Sequence, residues 1–500
     1  MTFLGDEGRD AIVVYNILHG KLTLLGPTAS VGGFFMGPAY YYIVTPFFWI
    51  FNYSPVGASI MVAFLSVITV WMIYKIGSEF FSKKAGLISA LLYALSPLVI
   101  VYSHSSWNPN VMPFWGGGGG GFLYKAIQKK SAMLFFICGV LFGIDIQLHY
   151  TELFLGVIII LYVCAMRIYS LKTFFSGKLL YKIIRDGFFI FLGFLVGFSP
   201  FLAFEFRHGF LNIQSIFQFI FKSGDTGVSA NYFMTVWNVT LRLFGRLLVD
   251  FPLPQDFPLY NANILSFWYA FALFITFVCM GYLCIQYVKS YSEKRRYEQI
   301  SLLFFWLVIG ILFLGIYKRQ IYDYYFEFMF PLPFLCIGGA FAAIYDSTFF
   351  GEKRKNLQYF AKGMIIVLLV IIIYIFNNNS PLKVSPNIQL QKTKYISDFV
   401  LGKTDGKPFN FALITGGNSD HGYRYFFIRA DKQPVVIQNP MIDPDRETVT
   451  NQLLVICDSL PCSPLGAPLW EIAGFGRAEI VGHWKASFVE VYKLRHYTGK

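Results

Sequence analysis

Asp6-Glu7-Gly8-Arg9-Asp10 sets three carboxylates and a guanidinium within five residues, ahead of a chain that stays apolar to about residue 376. Carboxylates beside a membrane are costly unless they have partners or a task. If a helix runs over residues 10–25, Asp6, Asp10 and Arg9 lie near its first turn, where free backbone N–H groups favour negative charge. On that reading Asp6 or Glu7 merely caps a surface helix. Four further segments carry polar groups between apolar runs: His104–Asn110, with Asn108 and Asn110; Gln147-Leu148-His149-Tyr150; Glu205-Phe206-Arg207-His208; and Lys318-Arg319 with the tyrosines that follow, to Tyr325. Singly each has a bland explanation. His149 suits a hydrogen-bonded interfacial histidine, and Arg207, Lys318 and Arg319 suit lipid-headgroup anchors. Jointly they offer acids, imidazoles and cations, which a reaction between a membrane-borne phosphate and a hydroxyl requires.

The elements that must position these groups follow from composition. With 56% hydrophobic, 19% aromatic and only 14% charged residues, the chain reads as a polytopic membrane protein. Its net charge of +13 does not imply nucleic acid, because the basic residues sit in short loops between apolar runs. A membrane-spanning helix needs roughly 20 apolar residues. Runs near that length cover 55–77, 85–102, 111–125, 131–148, 151–166, 187–203, 264–288, 300–317, 328–345 and 361–376. Lysines and arginines follow every second run: Lys75, Lys83 and Lys84; Lys125, Lys129 and Lys130; Arg167 to Arg185; Lys289 to Arg296; Lys353 to Lys362. The loops 103–110 and 149–150 carry neither. By the positive-inside rule the basic loops are cytoplasmic. The acidic motif, the loop 204–263 and everything after 377 then lie outside, in a multi-pass protein of the cell (plasma) membrane.

Residues 37–51 would invert every later loop if counted as a span, so they are expected to form an interfacial or re-entrant helix, where Tyr and Trp are at home. The same parity implies an in-to-out helix ahead of residue 1. Gly116–Gly121 should oppose a helix, since each Gly costs about 1 kcal/mol against Ala.

Past residue 377 polar residues rise, predicting a second domain over 377–500 of small α/β character. Residues 396–401 read as helix, and 411–414, 434–437, 453–456, 478–481 and 488–492 as strands. Cys457 and Cys462 lie in a polar context where a disulfide could close. The other cysteines fall within apolar runs.

The run Phe3 to Ala11 resembles the first outer loop of GT-C glycosyltransferases, within them most nearly the protein O-mannosyltransferase and aminoarabinose-transferase group. Gly37-Pro38-Ala39-Tyr40-Tyr41-Tyr42, Trp107-Asn108-Pro109-Asn110 and Gln147-Leu148-His149-Tyr150 add to it. The resemblance covers residues 1–376 and implies a mostly α, GT-C-like membrane domain with a small extracytoplasmic α/β domain after it. It implies an inverting transfer from a polyprenyl-phosphate sugar on the outer face, as in protein glycosylation and cell-envelope chemistry. Asp6 then becomes the catalytic carboxylate and Glu7 its partner, a competent base for an acceptor hydroxyl. The leaving phosphate needs cations. Arg9, Asp10, Asn108, Asn110, His149, Tyr150, Arg207, His208, Lys318, Arg319 and Tyr325 are the candidate substrate-binding residues. Participation of a divalent metal stays open, with Glu7 and His149 as candidate ligands and no other cofactor expected. Expected partners are the lipid-linked sugar, membrane lipids and an acceptor that is a lipid, a glycan or a protein, with no nucleic acid. Relatives often carry Asp where this chain has Asn110, and Lys before the proline where it has Met36-Gly37-Pro38. The competing reading is a non-enzymatic transporter or scaffold for lipid-linked glycans, which should show charged groups at mid-span and internal repeats.

Overall fold

The computed structural model describes residues 1–172, 176–346 and 355–499. Lys353 and Arg354, counted above among the basic loops, lie outside these. The chain begins with α1 (Gly5–Leu18), α2 (Ala39–Ile50) and α3 (Val56–Phe80). It continues through α4 (Lys83–Leu95), α5 (Pro97–Ser103), α6 (Met112–Lys129), α7 (Ala132–Asp145), α8 (Leu153–Leu171) and α9 (Gly177–Gly197). Then come α10 (Ser199–Arg207), α11 (Leu211–Phe221), α12 (Tyr232–Val249), α13 (Ala262–Glu293), α14 (Tyr297–Leu314), α15 (Pro331–Tyr345) and α16 (Lys355–Asn378). The last stretch holds α17 (Gln389–Gly402), β1 (Asn410–Ile414), α18 (His421–Arg429), β2 (Leu453–Cys457), α19 (Trp470–Phe475), β3 (Ala478–Ala486) and β4 (Val489–His496). These form two compact units: a helical one of Thr23–Ile43 and Ser59–Ser385, and a globular one of Met1–Leu22, Val44–Ala58 and Pro386–Lys500.

Among the described residues of the helical unit five helical stretches are long and apolar enough to cross a membrane: α3, Tyr150–Leu171, α13, α14 and Asn356–Lys383. Three bent pairs bring the number to eight if each is one span. They are α4 with α5 at 65°, α9 with α10 at 71°, and Asp323–Met329 with α15 at 55°. Pro97 and Pro331 open the second helix of their pairs, and Pro200 stands in the first turn of α10. A proline that cannot continue the preceding hydrogen-bond ladder breaks each run at that point. The apolar runs 85–102, 187–203 and 328–345 are therefore broken helices. The run 131–148 yields only the 14-residue α7, about 21 Å at 1.5 Å per residue, short of a full span. The region 37–51 forms the 12-residue α2, also too short to cross.

Helix contact in this unit runs through small residues. On α7, Gly139 and Gly143 face Gly193 and Gly197 on α9. A Cβ at Gly139 would stand 2.0 Å from Ile190 O, and one at Gly193 would stand 2.0 Å from Phe136 O. Spacing of four on both helices brings backbone against backbone, which drives association where lipid removes the hydrophobic incentive. The six glycines do not break α6, which runs through them unbroken. A Cβ at Gly120 would meet Trp306 Cζ3 at 2.5 Å, whereas one at Gly121 would meet nothing within 4 Å. The indole of α14 thus occupies the space that the missing side chain vacates, and that packing offsets the propensity penalty.

The globular unit carries a sheet of order β1-β2-β4-β3, with β1 and β2 parallel and the rest antiparallel. Strand β2 is buried throughout. Its Leu454 and Ile456 join one apolar layer with Ile396, Val400, Tyr423 and Phe427 of α17 and α18. Leu453, Val455 and Cys457 join the other with Ile472 and Phe475 of α19. Period-two alternation thus builds a helix–sheet–helix sandwich. Residues 434–437 are not a strand, contrary to the sequence pattern. Pro434 offers no N–H, and Asn410 Nδ2 takes the Val435 carbonyl at 2.8 Å. Cys457 and Cys462 are joined by a disulfide.

The hexaglycine packing separates two neighbours. Gly120→Ala should destabilise by about 1–3 kcal/mol through overpacking. Gly121→Ala should stabilise by roughly 0.5–1 kcal/mol through backbone entropy. Thermal unfolding in detergent reads both, and equal shifts for the two would remove this account.

Candidate functional site

The acidic motif forms the first turn of α1, which begins at Gly5 rather than at residue 10. Glu7 Oε2 accepts from Leu4 N at 3.0 Å, so Glu7 does close the helix start as a cap. Burial raises the Glu7 carboxyl above its ordinary value, opposed by hydrogen bonds from the Glu7 and Leu4 backbone. Arg9 is divided between two neighbours. Its Nη1 donates to Asp6 Oδ1 at 2.9 Å, while Nε and Nη2 donate to Asp10 Oδ1 at 2.9 and 2.8 Å. The Asp10 side chain is 8% exposed and that of Asp6 57%. Of the three carboxylates, Asp6 alone is oriented by a cation and also open.

This turn is bound to the globular unit's own loop. Gly5 N donates to Asn418 Oδ1 at 3.0 Å and Phe3 N to Gln389 Oε1 at 3.1 Å. A Cβ at Gly8 would fall 2.3 Å from Gly422 N, so α1 and α18 touch backbone to backbone. His421 Nδ1 pairs with Ser419 Oγ at 2.7 Å. Burial lowers its pKa, and Asp420, Arg9, Arg424 and Asp6 all act on its charge. Gln389, Asn418, Ser419 and His421 were not anticipated from the sequence. The available signal was Thr415-Gly416-Gly417-Asn418-Ser419 between an apolar strand and a helix.

In the helical unit His149, Tyr150 and Tyr325 come together. The His149 ring stacks on Tyr150 at 4.3 Å, lies 5.3 Å from Tyr325, and meets Tyr324 edge-on at 5.6 Å. Its Nδ1 is shared with Thr151 Oγ1 at 2.8 Å. Burial lowers the imidazole from an ordinary 6.5 to about 3, keeping it neutral. The tyrosine segment is held by two arginines of α12 that the sequence reading passed over. Arg242 donates to Asp323 Oδ1 at 3.0 Å and to Ile321 O at 2.6 Å, and Arg246 pairs with Asp323 Oδ2 at 2.6 Å. Asn108 and Asn110 are buried staples. Asn108 Nδ2 donates to Leu148 O, and Asn110 Nδ2 to Tyr102 O and Ser105 O.

Beside Tyr150 opens an apolar cavity of about 590 Å³, walled by Phe34, Phe154, Phe201, Phe219 and Phe313. Buried Glu205 accepts from Asn212 Nδ2 at 2.8 Å, and Asn212 Oδ1 accepts from Phe35 N at 2.9 Å, fixing one wall. Thr226, Gly227 and Tyr317 line another side. There Gly227 N donates to Ile316 O and Lys318 N to Asp225 O, both at 2.8 Å. That pairing sets Lys318 and Arg319 beside the cavity. A Cβ at Gly227 would lie 3.7 Å from Lys318 Nζ, and Arg319 is paired with Asp225 at 2.7 Å. Arg207 and His208 are exposed at the end of α10, with His208 Nδ1 on Phe204 O at 2.9 Å.

Residues 36–202 match the family described as dolichyl-phosphate-mannose-protein mannosyltransferase. No curated protein matches the chain by sequence. ArnT from Cupriavidus metallidurans, solved bound to undecaprenyl phosphate, superposes with a TM-score of 0.57 at 12% identity, covering 98% of this chain and 94% of ArnT. The oligosaccharyltransferase AglB from Archaeoglobus fulgidus, solved with an inhibitory peptide and a dolichol-phosphate, superposes with a TM-score of 0.51 at 12% identity. There the match covers 91% of this chain and 65% of AglB. The chain has the GT-C glycosyltransferase fold.

The expected site residues fall into separate groups. Asp6, Glu7, Arg9 and Asp10 make one in the globular unit, and His149, Tyr150, Tyr325, Lys318 and Arg319 adjoin the cavity or its tyrosines in the helical unit. Among the described residues no three His, Cys, Asp or Glu side chains are grouped to hold a metal ion. Glu7 Oε2 is engaged by Leu4 N, and His149 Nδ1 by Thr151.

Neutral His149 has a pH signature. Its folded pKa lies below the unfolded one, so its contribution to stability is complete above pH 6.5 and fades as pH falls toward 3. By pH 5 the loss should reach about 2 kcal/mol. Unfolding curves of the parent and His149→Asn should therefore diverge between pH 6.5 and 5, the parent falling faster; parallel curves would show a ring that protonates freely.

Proposed function

We propose that this membrane protein is an inverting glycosyltransferase that moves a sugar from a polyprenyl-phosphate donor to an acceptor hydroxyl on the outer face. The observation that carries the reading is the apolar cavity with lysine and arginine at its side, within a fold shared with two solved transferases. Each buried methylene of a polyprenyl tail is worth about 0.8 kcal/mol, and the phenylalanine walls suit such a tail. Lys318 meets the phosphate, with Arg207 a second cation for it. Arg319 stays tied to Asp225 and acts through the field it adds. The neutral imidazole of His149 brings no charge and shapes the stack of tyrosines beside the cavity. Positive-inside loops support an outer location for the acidic turn.

In the transfer, the Asp6 carboxylate accepts the acceptor's hydroxyl proton as that oxygen forms its bond to the anomeric carbon. The bond from this carbon to the phosphate oxygen breaks, and the electron pair leaves with the polyprenyl phosphate. A single displacement of this kind inverts the anomeric centre. Arg9 keeps Asp6 in one orientation, Asp10 anchors Arg9, and Glu7 closes the turn that presents them. Charge on the departing phosphate is met by Lys318, an interaction stronger than a neutral hydrogen bond.

Two variants separate these roles. Asp6→Asn keeps size and hydrogen bonding but removes the base, and turnover should fall by roughly 100-fold or more with donor KM unchanged. Lys318→Ala should instead raise donor KM by about tenfold. The assay follows consumption of a panel of polyprenyl-phosphate monosaccharides by the full chain in lipid. Parental turnover by Asp6→Asn would reduce Asp6 to a helix residue, and no consumption of any donor by the parent would remove the reading.

A further inference from the structure

A second cavity, of about 380 Å³, lies wholly inside the globular unit, at the carboxyl ends of the parallel strands β1 and β2. The crevice outside the carboxyl ends of parallel strands is where open α/β sheets receive ligands. Its floor is the loop Thr415–Ser419 that follows β1, and its far wall is Asp458-Ser459, directly after β2. A Cβ at Gly416 would lie 3.1 Å from Ser459 Oγ, so loop and wall meet closely. Leu4, the residue from which α1 starts, forms the side next to the acidic turn.

The chemistry of the lining is specific. Gln389 and Asn418 each spend their carboxamide oxygen on the backbone of residues 3 and 5. Each then keeps an NH₂ group that can only donate. Asp458 supplies a carboxylate, which accepts only, and Ser459 a hydroxyl, which does both. Phe488 adds an exposed ring on the same rim. Among the described residues no Lys or Arg lines the space itself, and the nearest cation named at its rim, Lys392 Nζ, stands 5.9 Å from the centre of the Phe488 ring, against one carboxylate in the lining. Donors and acceptors together with one exposed aromatic ring match a neutral ligand rich in hydroxyl groups.

We infer that this cavity is a glycan-binding subsite that seats a neutral, polyhydroxylated acceptor beside the acidic turn. The inference rests on the transfer reading above and names its acceptor class: the saccharide part of a glycan or glycolipid rather than a serine- or threonine-bearing peptide. Asp458 accepts from ring hydroxyls, Gln389 and Asn418 donate to them, and Phe488 covers an apolar sugar face. Because Asn418 also holds Gly5, occupation of the cavity and placement of Asp6 share one residue.

Binding can be read without turnover. Saturation-transfer NMR on the full chain in nanodiscs, with mannotriose, maltotriose and chitotriose as probes, should show contact with at least one trisaccharide. Asp458→Asn should weaken that contact about tenfold, the loss expected for one charge-assisted hydrogen bond. Ser459→Trp, which fills the cavity, should abolish it, and Asp6→Asn should leave it intact. A serine/threonine hexapeptide should neither bind there nor displace the sugar. Absence of any trisaccharide contact with the parent overturns the inference. So does equal binding by parent and Asp458→Asn, or displacement by the hexapeptide. Each of these leaves donor consumption, and with it the transfer reading, standing. A parent that binds trisaccharide but consumes no donor removes the transfer reading and retains the glycan subsite.

Discussion

The contact on which the presentation of the acidic turn depends is the docking of α1 on α18. Gly5 and Gly8 have no side chain, and the places where side chains would stand are filled by Ser419 and by the backbone of His421 and Gly422. Contact of that kind is stiff, since no side-chain rotamer separates the two backbones. Hydrogen bonds from Phe3 N and Gly5 N to Gln389 and Asn418 complete it. Helix N-terminal N–H groups usually find water or a cap of their own; here the receiving side-chain carbonyls belong to residues 386 and 413 positions away. Asp6 inherits a fixed position from this arrangement while keeping an open side chain, and Arg9 removes the remaining rotational freedom.

The helical unit solves a related problem by a related means. Between α7 and α9 reciprocal glycines at a spacing of four allow carbonyls to approach where any methyl would stand. Between α6 and α14 a glycine admits the Trp306 ring. Close packing at those contacts contrasts with the cavity bounded by Phe34, Phe154 and Phe219, where large rings leave room. Tight seams and an open chamber come from the same apolar alphabet, and side-chain size decides which forms.

What the sequence disclosed follows from which signals are local. Long apolar runs with basic loops located the membrane helices, and strand patterns located β1, β2 and the first four residues of each of β3 and β4. The breaks at Ser96, Phe198 and Phe330 were less visible, because a proline after an apolar run reads equally well as the run's continuation. Gly116–Gly121 lies in an expected apolar run, and what the sequence could not show is the packing that tolerates it. Helix propensity is a local quantity, and the indole that fills the groove comes from residue 306. The strand expected at 434–437 failed because a side chain, Asn410 Nδ2, took the carbonyl that a ladder would need. In the candidate site the acidic turn, His149, Tyr150 and Tyr325 stood out in the sequence as polar or aromatic groups set between apolar runs. Gln389, Asn418 and His421 were not, since nothing in a loop of small polar residues names the distant helix that it holds.

Glu7 illustrates how the bland and the functional reading coexist. It caps α1 through Leu4 N, as a surface-helix reading requires, yet capping alone does not explain the neighbouring pairings. A helix start needs only one side-chain acceptor for its leading N–H groups. This turn carries two more carboxylates, one buried and one exposed, joined by a single guanidinium. A buried carboxylate spends solvation that only a firm partner returns, and Asp10 has that partner in Arg9. Asp10, held inside, fixes Arg9, and Arg9 in turn orients Asp6. Capping accounts for Glu7, and in the proposed transfer the orientation of an accessible carboxylate is the use of the other three residues.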